Sequence, residues 1–180
     1  MRDMRGSALS STSLIVALLI AAALMLITPI VTLTERNDNA VQENVKVIVD
    51  EFVADIQNTG KLTMTKYQNL VERLNATGNV YDIELEVQHL DENPGKKTTQ
   101  ANYTKIGENV YYTQYTTQVL ESLEQGSMLL EPGDNILVSV KNQNSTAAQS
   151  LNASFLGITN SDTYAISAEG AGMIYVKGTE

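Results

Sequence analysis

Hydrophobic and polar positions divide the chain into three regimes. Residues 14–33 (LIVALLIAAALMLITPIVTL) carry no charge, and Thr28, Pro29 and Thr32 are their only polar or helix-breaking positions. At ~1.5 Å per residue such a run makes a helix ~30 Å long, the thickness of a bilayer's hydrocarbon core. Lipid offers the backbone no hydrogen-bond partner, so a helix is the form this run takes there. Past residue 33 the pattern becomes periodic. Val41, Val45, Ile48, Phe52 and Ile56 recur at steps of four, three, four and four, with Val47 and Val53 beside them. This is the period of an amphipathic helix, and Gly60 is placed to end it. The stripe has two uses open to it: the core of a domain, or a surface that packs against neighbouring copies.

Shorter patterns follow. Met64, Tyr67, Leu70, Val71 and Leu74 form the apolar face of a second helix within 61–78, with Thr63 or Thr65 as its cap. Residues 80–90 alternate strictly, with Tyr81, Ile83, Leu85, Val87 and His89 on one face and Asp82, Glu84, Glu86 and Gln88 on the other. Such alternation predicts a strand with one wet face. Pro94-Gly95 centres a turn over 91–97. A strand or loop is expected near 101–106 and a helix over 110–125, ended by Gly126. Glu131-Pro132-Gly133-Asp134 turns the chain into a strand at 135–142. Residues 143–160 predict a loop with a short helix. A strand at 163–169, a break, bulge or close approach at Gly170 and Gly172, and a last strand at 173–177 complete the pattern.

The predicted fold class is α+β. An N-terminal transmembrane helix continues into an amphipathic helix, and a small antiparallel α+β domain follows. Residues 1–13 form a cytoplasmic lead or leader, 14–33 the membrane helix, and 34–180 an extracytoplasmic domain. A signal h-region is shorter than this run and is followed by a small-x-small cleavage site, so a retained single-pass anchor in the cell membrane is expected. Arg2 and Arg5 precede the run, while only Arg36 stands among the acids that follow closely, which puts the N-terminus in the cytoplasm.

Charge and composition narrow the chemistry. The 180 residues carry 12 Lys and Arg against 21 Asp and Glu, a net charge of −9. Arg2, Arg5 and Asp3 are the only charges before Thr34, so the remainder has 10 basic and 20 acidic residues, a net −10. That field repels nucleic acid and anionic headgroups, and no nucleic-acid partner is expected. The chain has no Cys, one His and no Trp, which leaves no thiolate chemistry and no Cys or His metal set. His89 continues an apolar face and reads as structural. Asp82, Glu84 and Glu86 read as solvating charges and edge protection, and Asp91 to Asn93 lack EF-hand spacing. Tyr103, Tyr111, Tyr112 and Tyr115 read as helix–sheet packing rather than a sugar platform. Neither G-x-S-x-G, S-x-x-K nor H-E-x-x-H occurs. No catalytic residue, no cofactor and no metal are expected. Four N-x-S/T sequons, at Asn75, Asn102, Asn144 and Asn152, are as frequent as this composition yields by chance.

Two features of the anchor carry a sharper meaning. Arg5-Gly6-Ser7-Ala8 reads either as an ordinary helix flank or as a leader cut between Gly6 and Ser7. Pro29 removes one hydrogen bond inside the membrane helix and marks a kink.

Taken with the stripe from Val41 to Ile56, these residues resemble the type IV pilin superfamily. Within it they look most like the pseudopilin-like proteins of Tad (tight adherence) systems. The resemblance covers about the first third of the chain. It implies a structural, non-enzymatic subunit of a surface, pilus or secretion apparatus, whose partners are the membrane and other pilin-like subunits or copies of itself. Such families usually carry a glutamate just past the cleavage point. Here Ser10, Ser11, Thr12 and Ser13 occupy that region, and a minor or initiating role is the one least affected. The alternative is a single-pass extracytoplasmic binding or sensor module.

Overall fold

The computed structural model describes residues 4–91, 110–157 and 166–179. The apolar run and the amphipathic stripe form one helix, α1 (Met4–Thr59), which passes through Pro29. Then come β1 (Lys61–Thr63), α2 (Met64–Asn75), β2 (Tyr81–Asp91), β3 (Val110–Tyr115), α3 (Thr116–Glu124), β4 (Ser127–Leu129), β5 (Asn135–Asn142), α4 (Ala147–Leu156) and β6 (Ser167–Met173). Four strands form an antiparallel sheet in the order β3-β2-β5-β6, and β1 pairs with β4 in a separate two-stranded ribbon. The α+β class and the small antiparallel sheet domain behind a long apolar helix agree with the sequence.

The inner face of the sheet follows from strand alternation. Ile83, Val140 and Ala168 share one cross-strand row, Leu85, Val138 and Gly170 the next, and Val87, Ile136 and Gly172 the third. Val45, Ile48, Val49, Phe52, Val53 and Ile56 of α1 are buried in the same core, as are Leu70 and Leu74 of α2 and Val119 and Leu123 of α3. Each such side chain taken from water contributes ~1.5–3 kcal/mol, so the lower half of α1 is the main apolar spine of the domain.

α1 lies beside β6 and runs in the same direction. The Gln42 amide brackets Ser167, accepting from its N–H at 2.8 Å and donating to its carbonyl. Gln57 Nε2 donates to the Met173 carbonyl at 3.0 Å. Gln42 to Gln57 spans ~22 Å of helix, and Ser167 to Met173 spans ~20 Å of strand, so the two elements match in length. Outward backbone groups at both ends of this edge strand are thereby satisfied, which blunts the edge against pairing with another chain.

Close approach explains the two glycines. A Cβ on Gly170 would stand 2.8 Å from Val49 Cγ1 and 3.1 Å from Val53 Cγ2. One on Gly172 would stand 2.4 Å from the Gln57 side chain. Gly170→Ala is expected to cost about 1–2 kcal/mol by forcing helix and strand apart. Urea unfolding checks it: a midpoint unchanged from the parent would show that α1 does not press on β6.

Several expectations are corrected. The predicted helix over 110–125 divides: Val110–Tyr115 is strand β3, and only Thr116–Glu124 is helical. Tyr111 to Tyr115 favour extended backbone and pair with the flank of β2 from Glu86 to Leu90. The helix starts where the Gln118 side chain accepts the Tyr115 N–H. Of the readings open to Gly170 and Gly172, close approach holds: both lie within β6, where they clear the helix rather than break or end the strand. Residues 174–177 are not a strand. β2 is a central strand, so its carboxylates do not protect an edge. Lys61–Thr63 is a short strand, and Thr63 caps α2 by accepting from Lys66 N at 3.3 Å. The expectations for 92–97, 101–106 and 163–165 lie outside the described residues.

Candidate functional site

Gly6 and Ser7 lie in the N-terminal turns of α1. From Leu14 to Leu33 the large apolar side chains other than Ile27 and Val31 are exposed, and no part of the most apolar window is buried by the domain. By length and composition this helix is long and apolar enough to cross a membrane. Pro29 has no N–H to give the Met25 carbonyl. Around it, hydroxyls donate to the helix backbone: Thr28 Oγ1 to the Leu24 carbonyl at 2.8 Å and Thr32 Oγ1 to the Thr28 carbonyl at 3.0 Å. These bonds occupy the polar groups that the apolar run carries, in the manner of membrane helices.

The stripe points into the chain's own domain. Val45, Ile48, Phe52 and Ile56 are buried and Val41 is partly so. Val53 joins them, whereas Val47 is 50% exposed. Val49, fully buried, was not picked out from the sequence, although it stands four residues after Val45 and four before Val53. The repeat that marks the stripe also reaches it.

The opposite face of the sheet is polar and concave. Strand register aligns Glu84, Ser139 and Glu169 in one row, and Tyr115, Glu86, Leu137 and Ala171 in the next. These rows line a groove of about 660 Å³, with Thr116 and Thr117 at its rim. Three carboxylates face it. Lys141 Nζ, 3.6 Å from Glu84, and Gln88 Nε2, 2.8 Å from Glu86, partly offset them. Glu169 and Tyr115 join this surface only through pairing register, so the sequence alone does not bring them to Glu84 and Glu86. The Ser139 hydroxyl is buried at the floor with no partner among the described residues.

His89 is structural in its surroundings. Its ring stacks on Tyr112 with centroids 4.9 Å apart, and its Nδ1 lies 3.0 Å from Asp134 Oδ2. An ionised carboxylate only accepts, so Nδ1 carries the proton. Asp134 also accepts from Leu90 N at 2.9 Å and Glu131 N at 3.0 Å. Burial, and then the nearby Asp82 carboxylate, raise the Tyr67 hydroxyl above its ordinary value. Among the described residues, no three His, Asp or Glu side chains gather as a metal-binding set.

One sequon is explained by the fold. Asn144 Oδ1 accepts from Val80 N at 2.8 Å, and its Nδ2 donates to Asn79 Oδ1 at 3.0 Å. An amide so engaged ties the β5 exit to the β2 entry. Tyr103 and Asn102 fall outside the described residues. Comparison of the chain with protein-family models, with curated proteins and with solved structures finds no match in any of the three.

Proposed function

We propose that this chain is a non-enzymatic, membrane-anchored, pilin-like or pseudopilin-like subunit with its domain on the extracytoplasmic side. The observation that carries the reading is α1 itself, 56 residues long. Its residues 14–33 are apolar and largely exposed, and its lower half is the spine of the sheet. One rigid element thus joins lipid to domain, the arrangement a subunit needs to pack its upper half against neighbours and display its lower half. The stripe below Val41 is occupied by the chain's own sheet, so contact between copies belongs to residues 14–33 and to the domain surface. The expected mature chain starts at Ser7. Intact mass and N-terminal sequencing of protein from the native membrane check this. A chain that keeps its first six residues and runs as a monomer in detergent would sink the pilin reading.

The groove on the outer sheet face supports a second reading, a single-pass binding module. Its three carboxylates suit a cationic ligand. A thermal-shift series with polyamines and basic peptides that leaves the melting temperature unmoved would remove that reading.

A further inference from the structure

Residues 142–161 contain no charged side chain, in a chain that is 18% charged. Outside the anchor, no other stretch without charge is as long. The fold puts its beginning at a particular place. Because Gln42 meets Ser167 and Gln57 meets Met173, the sheet end holding Asn142 and Ser167 is the end nearer the apolar run. β5 ends there, and α4 follows it along the chain.

α4 is most deeply buried at its start. Its cap Thr146 is buried, as is Ala148, and a reciprocal capping box joins Thr146 to Gln149. At the other end Ser154 is exposed, and Phe155 is 55% exposed. Among the described elements α4 packs chiefly on α1. The partly covered positions Asp38 and Val41 continue the buried stripe of α1 past the end of the sheet.

We infer that α4 is a foot that rests in the headgroup layer of the bilayer, with Phe155 as its lipid-facing contact. The inference rests on the membrane-anchor reading of residues 14–33. From Leu33 to Gln42 the helix rises ~14 Å. The headgroup layer fills the first ~5–8 Å of that interval, and a ten-residue helix held at the Gln42 level is ~15 Å long. Running back along α1, which it packs against, α4 is long enough to bring Phe155 to the layer. Charge selects the same occupant. The domain carries −10, and anionic headgroups would repel any of its charged faces. The uncharged segment at the membrane-proximal end is the part that approaches lipid without that penalty, and an aromatic ring suits the interface.

The chain has no Trp, so single tryptophans report without background. Full-length Leu24→Trp, Phe155→Trp and Tyr175→Trp proteins are reconstituted into phosphatidylcholine vesicles with and without brominated acyl chains. Tyr175 is 67% exposed, and its N–H bonds the Gln57 carbonyl at the far end of the domain. The expected result is quenching and a blue-shifted emission at positions 24 and 155, with neither at 175. Quenching at 24 with none at 155 overturns the foot and leaves the anchor standing. Quenching at none of the three overturns the anchor reading, and the foot with it. Equal quenching at 155 and 175 also overturns the foot, because the domain would then lie on lipid without orientation.

Discussion

Gly60→Ala is expected to lower stability by about 3 kcal/mol or more and the melting temperature by about 10 °C. Two costs coincide there. Gly60 has φ +61, a conformation that strains any residue with a Cβ by ~1–2 kcal/mol. The added Cβ would also stand 2.2 Å from the Val176 carbonyl oxygen and 2.4 Å from Gly178 N. Both are backbone atoms, and they are held in place: Gly178 N donates to the Leu130 carbonyl at 2.9 Å, and Leu130 N donates to the Gly60 carbonyl at 2.8 Å. No rotamer change relieves the overlap. Gly78→Ala is the control, since Gly78 has φ +87 but nothing within 4 Å of its Cβ direction. Thermal unfolding of both proteins separates backbone strain from overlap. If the two melted together, the closure of the C-terminal segment over Gly60 would contribute nothing.

Asp134→Ala is expected to cost about 3 kcal/mol. The side chain is 5% exposed and accepts from two backbone N–H groups and one imidazole. Removing it strands the Leu90 and Glu131 donors, at ~1–3 kcal/mol for each buried group left unpaired. It also frees the turn that positions the end of β6, since Ile174 N donates to the Asp134 carbonyl at 2.8 Å. Asp134→Asn keeps one acceptor oxygen and is expected to lose about half as much. His89→Gln keeps a donor near the carboxylate and is expected to lose about 1 kcal/mol or less. Urea midpoints order the three variants. A His89→Gln loss equal to that of Asp134→Ala would show that the imidazole, not the backbone donors, is what Asp134 serves.

Local patterns carried much of this fold. The apolar run, the stripe from Val41 to Ile56 and the alternation of β2 and β5 are all legible because each is set by one face meeting one environment. β3 was not legible. Tyr115, Val119, Leu120 and Leu123 have helical spacing, yet what decides Val110–Tyr115 is the open flank of β2, 19 to 29 residues earlier. β6 was legible in part: Gly170 and Gly172 admit a break, a bulge or a close approach, and only the placement of α1 against them selects the last. The ribbon of β1 and β4 pairs Lys61 with Leu129, a link that three-residue segments do not announce. The acidic groove was half visible. Glu84 and Glu86 stand out in the sequence, whereas Glu169 and Tyr115 reach them through register.

The pairing of α1 with β6 has a consequence for how the protein is made. Gln42 and Ser167 are 125 residues apart in the chain. At a synthesis rate of ~5–20 residues per second, β6 emerges about 6–25 s after the helix it must meet. Closing a loop of that size costs about 4 kcal/mol of chain entropy, which is recovered only when helix and strand dock. Through this interval the stripe from Val45 to Ile56 has no sheet to cover it. It is, however, continuous with a helix that lipid can already hold. An apolar face joined to an anchor lies naturally along the bilayer surface. Under the proposed anchoring, the membrane would shelter the half-made domain until its last strand arrives.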